Sequence, residues 1–175
     1  MGPLKSDLFS VKIVLRNDYW QLRIKSFLVV SVKWRYSKLS LIHEFRIVNQ
    51  ERNTFDSNFE PVSISDTLIL YMRDSLNWIN FSWNGKEKKN GLNYYGETII
   101  KENSIDKLRD VVHAWIKLFE LATDEFILTG NYLLDENKYE KISVNKKEVL
   151  LQLKSLYFLC EKAIEQNKDI LHSGI

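Results

Sequence analysis

Two long amphipathic runs, Asn145 to Asn167 and Ser104 to Ala122, limit what this 175-residue chain can fold into more than any other feature. In the later run Val149, Leu150, Leu153, Leu156, Tyr157, Cys160, Ala163 and Ile164 recur at helical spacing, and Lys147, Lys154, Glu161, Lys162 and Glu165 mostly face away. That spacing predicts a helix lying on a core. Asn145 with Glu148 three residues on has the layout of a capping box, so the Asn side chain is expected to satisfy backbone donors at the helix start. The earlier run repeats the pattern through Leu108, Val111, Val112, Trp115, Leu118, Phe119 and Ala122, with Asn103 or Ser104 as its cap. Two such helices need a flat apolar surface to cover.

The front half offers one. Val11, Ile13 and Leu15, then Trp20, Leu22 and Ile24, then the period-two set Leu28, Val30, Val32, Trp34 and Tyr36, and then Leu41, His43, Phe45 and Ile47 recur at every second position, the period of a half-buried strand. Turn residues at Asn17–Asp18 and Ser37–Ser40 separate them, which predicts an antiparallel meander. In that register Arg23, Lys25, Lys33, Arg35, Glu44 and Arg46 point away from the helices and form a mainly basic face. Residues 50–66 read as an irregular connection. Alternation returns at Thr67–Arg73, Leu76–Trp83 and Tyr94–Ile100, and the charged stretch 84–91, bracketed by two Asn-Gly pairs, reads as a hairpin tip. After the first helix, Glu125–Thr129 predicts a short strand, with Gly130 and Asn131 turning the chain into an acidic loop at Asp135 and Glu136. The closing residues Asp169–Ile175 suit a small docked strand or tail. The expected fold is therefore one α+β domain spanning 1–175: a mainly antiparallel sheet from the N-terminal half, with two long C-terminal helices packed on one face.

Composition narrows the function classes. A 45% hydrophobic chain with two prolines is a folded one, and its single cysteine, Cys160, sits on an apolar helix face. With no disulfide possible, no apolar segment in Met1–Asp7 and no apolar run long enough to span a bilayer, the expectation is a cytoplasmic protein without a membrane partner. The net charge of +2 is too mild for a dedicated nucleic-acid binder; residues 1–100 hold 14 basic against 10 acidic side chains and the remainder 11 against 13. No Gly-rich phosphate loop, nucleophile motif or zinc spacing is present in the sequence, so neither a catalytic residue, a metal nor a cofactor is expected. His43, His113 and His172 fall in a strand, a helix and the tail. The aromatic cluster Trp78, Phe81, Trp83, Tyr94 and Tyr95 reads as sheet core or as partner anchors.

The C-terminal third carries a resemblance. Trp115, Phe119, Phe126, the run Leu128 to Tyr132, then Tyr139, Lys141 and Ile142, and the ending Ile170 to Ile175 resemble small bacterial proteins that look like immunity partners of polymorphic or contact-dependent growth-inhibition toxins. That resemblance implies a cytosolic, non-catalytic protein that binds a cognate toxin domain and occludes it; it points to no binding residues. Charge patterning supplies the candidates instead: the face with Arg23, Lys25, Lys33, Arg35, Glu44 and Arg46, or the acidic residues Asp124, Glu125, Asp135 and Glu136. The competing expectation is a small-ligand protein or enzyme with a pocket between sheet and helices, using His43, His113 and Tyr71.

Overall fold

The computed structural model describes residues 41–49, 54–56 and 58–175, which belong to the compact unit Ser40–Ile175. The three strands expected between Val11 and Tyr36, with Arg23, Lys25, Lys33 and Arg35, lie outside the described residues. Within them the chain runs β1 (Ile42–Asn49), β2 (Thr54–Phe55), β3 (Val62–Ser65), α1 (Asp66–Leu76), β4 (Asn80–Trp83), β5 (Glu87–Asn90), β6 (Glu97–Ile100), α2 (Asn103–Glu120), β7 (Glu125–Leu133), β8 (Lys138–Asn145), α3 (Lys146–Glu165) and β9 (Asp169–Ser173).

The fold is α+β, and its main sheet is antiparallel at every described pairing, in the order β2-β1-β9-β6-β4-β5 with β3 also on β1. Period-two alternation puts His43, Phe45 and Ile47 of β1 on the buried face and leaves Glu44 and Arg46 half-exposed on the other. The last strand, β9, fills the centre of the sheet. Its Ile170 lies opposite Ile47 on one side and Ile100 on the other, and His172 opposite Phe45 and Thr98. All of these except His172 and Thr98 are apolar, so the sheet presents a greasy row with a polar pair at one end.

The expected pair of C-terminal helices is corrected. Three helices are spread along the described chain, and only α3 is C-terminal; α2 is central and packs along α3 rather than across the sheet. The sheet likewise is not confined to the front half, because β9 comes from the end of the chain. At α3 the cap is as expected, with the Asn145 side chain accepting from the backbone N–H of Lys147 (3.0 Å) and Glu148 (3.4 Å). At α2 it is not: Glu102, at φ 40°, occupies the cap position without a side-chain bond, and the Ser104 hydroxyl instead donates to the Asn80 carbonyl. The two helices are tied end to end by Lys146, whose ammonium donates to the Glu120 and Ala122 carbonyls at 2.7 Å each and so caps the C-terminus of α2.

Three further segments depart from the sequence reading. Thr67–Arg73 is helical, because Leu68, Ile69, Met72 and Leu76 also fit a 3.6-residue stripe and a short apolar run satisfies both periods. The 84–91 stretch is not all turn. Asn84 (φ 48°) and Gly85 (φ 70°) make the reversal, as a turn with two left-handed residues requires, and Glu87–Asn90 pairs as β5. Gly130 and Asn131 continue β7 through a bulge between Thr129 and Tyr132, and the chain reverses later, at Leu134–Asn137, with Asn137 left-handed at φ 49°.

The core joins Phe45, Ile47, Ile64 and Ile170 of the sheet to Leu153, Leu156, Cys160 and Ala163 of α3, each at most 1% exposed. Burial pushes the Cys160 thiol up to about 12, so it is packing volume and not a reactive group. Leu153→Ala is expected to lower unfolding stability by about 2–5 kcal/mol, while Lys154→Ala one residue on changes it by less than about 1 kcal/mol. Urea denaturation with an unchanged slope checks both; equal effects at the two positions would contradict the assignment of faces.

Candidate functional site

Two constellations stand out: a hairpin that leaves the body, and a buried polar chain inside it. The hairpin is β7 and β8. Its base is anchored, since Leu128 is buried, Phe126 stacks on Phe119 with ring centroids 5.4 Å apart, and Ile142 and Val144 pack against the core. Beyond Thr129 the support ends. Asn131, Tyr132, Leu134, Tyr139, Glu140 and Lys141 are all exposed, so both faces of the distal ribbon meet solvent. Leu134 is 85% exposed and Tyr139 54%, so much of their apolar surface stays in contact with water. The distal half is held by local contacts instead, an edge-on Tyr132–Tyr139 pair (5.0 Å) and a hydrogen bond from the Tyr132 hydroxyl to the Asn137 side chain. Among the described residues neither outer edge of this ribbon has a strand beside it.

The charge candidates scatter. Asp124 and Glu125 lie at the base of the hairpin and Asp135 and Glu136 at its tip, about 30 Å apart along an extended strand, so the four carboxylates do not form one patch. Glu136 pairs with Lys138 at 2.5 Å. On the outer face of the main sheet Glu44 and Arg46 pair with each other at 2.8 Å.

The buried chain was not foreseen. His43 on β1 and His172 on β9, both fully buried, meet with Nδ1 of the first 2.9 Å from Nε2 of the second. His43 Nε2 lies 3.2 Å from Asp66 Oδ1 at the start of α1, which also accepts from the Tyr94 hydroxyl at 2.6 Å. His172 Nδ1 lies 3.3 Å from the hydroxyl oxygen of buried Thr98, and that oxygen accepts the Asn93 N–H at 2.8 Å. With Asp66 ionised and both rings neutral, the heavy atoms admit one direction of donation. Thr98 O–H donates to His172 Nδ1, His172 Nε2–H to His43 Nδ1, and His43 Nε2–H to Asp66. Burial favours the neutral form of both rings. Desolvation lowers His43 against the opposing pull of Asp66, and desolvation with the neighbouring ring lowers His172 to about 3. Burial and then Asp66 raise the Tyr94 hydroxyl well above its ordinary range.

Comparison of the chain with protein-family models, with curated proteins and with solved structures finds no match.

The residues expected to share a pocket do not meet. His43 is spent in the buried chain, His113 is exposed on α2 beside Tyr157, and Tyr71 packs edge-on against Trp115. None of the three lines either cavity described. One, of about 120 Å³, lies between α1 and the β4–β5 edge beside Arg73 and Tyr94; the other, of about 410 Å³, opens beside Lys88, Lys101 and Ser104. The aromatic cluster divides, with Phe81 buried, Trp83 and Tyr94 half-buried, and Trp78 and Tyr95 exposed. Among the described residues no group of three or more His, Cys, Asp or Glu side chains is placed to hold a metal, and no helix is long and apolar enough to cross a membrane. A sequence signal for the buried chain did exist, because His43 shares the inward register of Phe45 and Ile47; its partner 129 positions away had none.

Thr98→Val keeps the shape of the side chain but removes both the donor to His172 and the acceptor for Asn93. It is expected to cost about 1–3 kcal/mol in denaturant unfolding. A change below about 0.3 kcal/mol would show that the hydroxyl is not part of a working chain.

Proposed function

We propose that this protein is a non-catalytic binding protein of the immunity type, which neutralises a cognate bacterial toxin domain in the cytoplasm by occluding it, and that the β7–β8 hairpin is the element that makes the contact. The observation carrying this reading is the ordered distal hairpin with Tyr132, Leu134 and Tyr139 exposed. The apolar surface these side chains leave in water is not used by the core, and rigid aromatics are among the side chains that most often anchor a protein interface. The ribbon edges, which no described strand covers, add donors and acceptors that a partner strand can pair with. Lys138, Glu140 and Lys141, on the strand that carries Tyr139, supply charge that discriminates among partners. Most of the residues that carry the resemblance to immunity proteins, from Phe126 through Ile142, lie on this same hairpin.

The test is co-expression with the product of the adjacent reading frame, followed by isolation of the complex and calorimetry. A 1:1 complex is expected for the natural sequence. Replacing Tyr132, Leu134 and Tyr139 together by Ala is expected to weaken it at least about 100-fold, since interface anchors cost about 2 kcal/mol or more each. The pair Glu44→Ala and Arg46→Ala should leave affinity within about threefold. Unchanged affinity in the hairpin variant would refute the hairpin contact, and absence of binding by the natural sequence would refute the toxin-neutralising reading.

A further inference from the structure

The buried polar chain and the sheet topology meet at one residue. Among the described strands, β9 alone joins the half built from β1, β2 and β3 to the half built from β6, β4 and β5. His172 sits within it, opposite Phe45 on β1 and Thr98 on β6. We propose that the Asp66–His43–His172–Thr98 chain is an acid-operated latch on β9, closing the sheet while both rings are neutral and releasing β9 when both take up a proton.

The hydrogen count sets the limit. One added proton can be housed: His43 becomes a double donor, His172 turns to its other tautomer and donates to the Thr98 oxygen, and the Thr98 hydroxyl proton loses its acceptor. That state buries a cation beside Asp66 and leaves one donor without a partner, both costly in a dry interior. A second proton on the rings has no arrangement in the closed sheet, because His43 Nδ1 and His172 Nε2 would then both carry hydrogens across a 2.9 Å gap. The closed sheet therefore excludes the doubly protonated pair, and an open one does not.

Few other charges bear on the pair. Asp66 faces it from α1 and Tyr94 from the 91–96 loop, with Tyr94 in turn touching Tyr95 and feeling Arg73. From β6 comes only the neutral Thr98, and on β1 and β3 the adjacent inward residues are Phe45 and Ile64. Among the described residues Asp66 is the one carboxylate bonded to either ring. Because folding lowers the affinity of both rings for protons, the latch is fully closed above the ordinary histidine pKa near 6.5 and weakens as pH falls below it, towards about 3 for His172. The inference is independent of the toxin-binding reading.

Amide exchange of β9 and imidazole nitrogen NMR on the full chain, followed from pH 7.5 to 5.0, test it above the ordinary carboxylate range. At pH 7.5 both rings are expected to be neutral with hydrogen on Nε2. On acidification the opening constant for the amides of Leu171 to Ser173, corrected for intrinsic exchange, should rise by more than about thirtyfold, the most that one ring of ordinary pKa can supply at pH 5. A rise of about thirtyfold or less, or both rings becoming protonated while β9 stays protected, overturns the proposal. The double variant His43→Gln, His172→Gln should lose this pH dependence, and keeping it would overturn the latch equally. Should that variant not fold, the measurements on the natural sequence decide alone.

Discussion

The described sheet is joined across its middle by β9, Asp169–Ser173. The strand that occupies its centre is made from the end of the chain, so β1 and β6 have no common neighbour until Asp169–Ser173 arrives between them. Ile170 then finishes an apolar row with Ile47 and Ile100, and His172 finds His43 on one side and Thr98 on the other. Contacts of this sequence separation carry a loop-closure cost that the packing of β9 on both neighbours must offset. Even the two residues after β9 are used, since the N–H groups of Gly174 and Ile175 donate to the carbonyls of Gly96 and Tyr94 and hold down the loop that carries Tyr94.

The closing strand also explains why a polar chain is tolerated in the core. Among the described residues every buried side-chain nitrogen and oxygen has a hydrogen-bond partner, and a fully satisfied network is far less costly than a partial one. Its four members come from β1, α1, β6 and β9, so no subset of the fold completes it. A greasy strand in place of β9 would find several ways to seat itself against β1; a histidine that must meet a ring nitrogen and a hydroxyl finds one. The outward hairpin obeys the opposite logic. Its exposed Tyr139 and Leu134 contribute nothing to that interior, and its base alone is tied to the core through Leu128 and Phe126.

What could be read from the sequence followed the range of the interactions involved. The stripe of α3 and its Asn145 cap, the alternation of β1 and the burial of Cys160 are set by residues within a few positions of one another, and all are found where periodicity puts them. Thr67–Arg73 fits two periods at once, and the helix prevailed because its stripe extends through Met72 to Leu76, where it meets the core. Gly130 suggested a turn, yet a glycine also suits a bulge where a Cβ would strike Glu140 and Ile142 of the facing strand, and only the pairing decides between them. Least legible was the buried chain. Asp66, Tyr94 and Thr98 have no local pattern in common with His43 or His172, and their meeting depends on strand order, which alternation does not encode.

The fold depends most on its closing strand, and amide hydrogen exchange on a chain ending at Lys168 tests that directly. Without β9 no described strand links the two halves of the sheet, and the amides of α3 from Leu153 to Cys160 are predicted to exchange at nearly unprotected rates. A synthetic peptide of residues 169–175 added in excess should restore part of that protection. Slow exchange at Leu153 to Cys160 in the shortened chain without the peptide would show that the fold stands without its central strand, and would contradict the account.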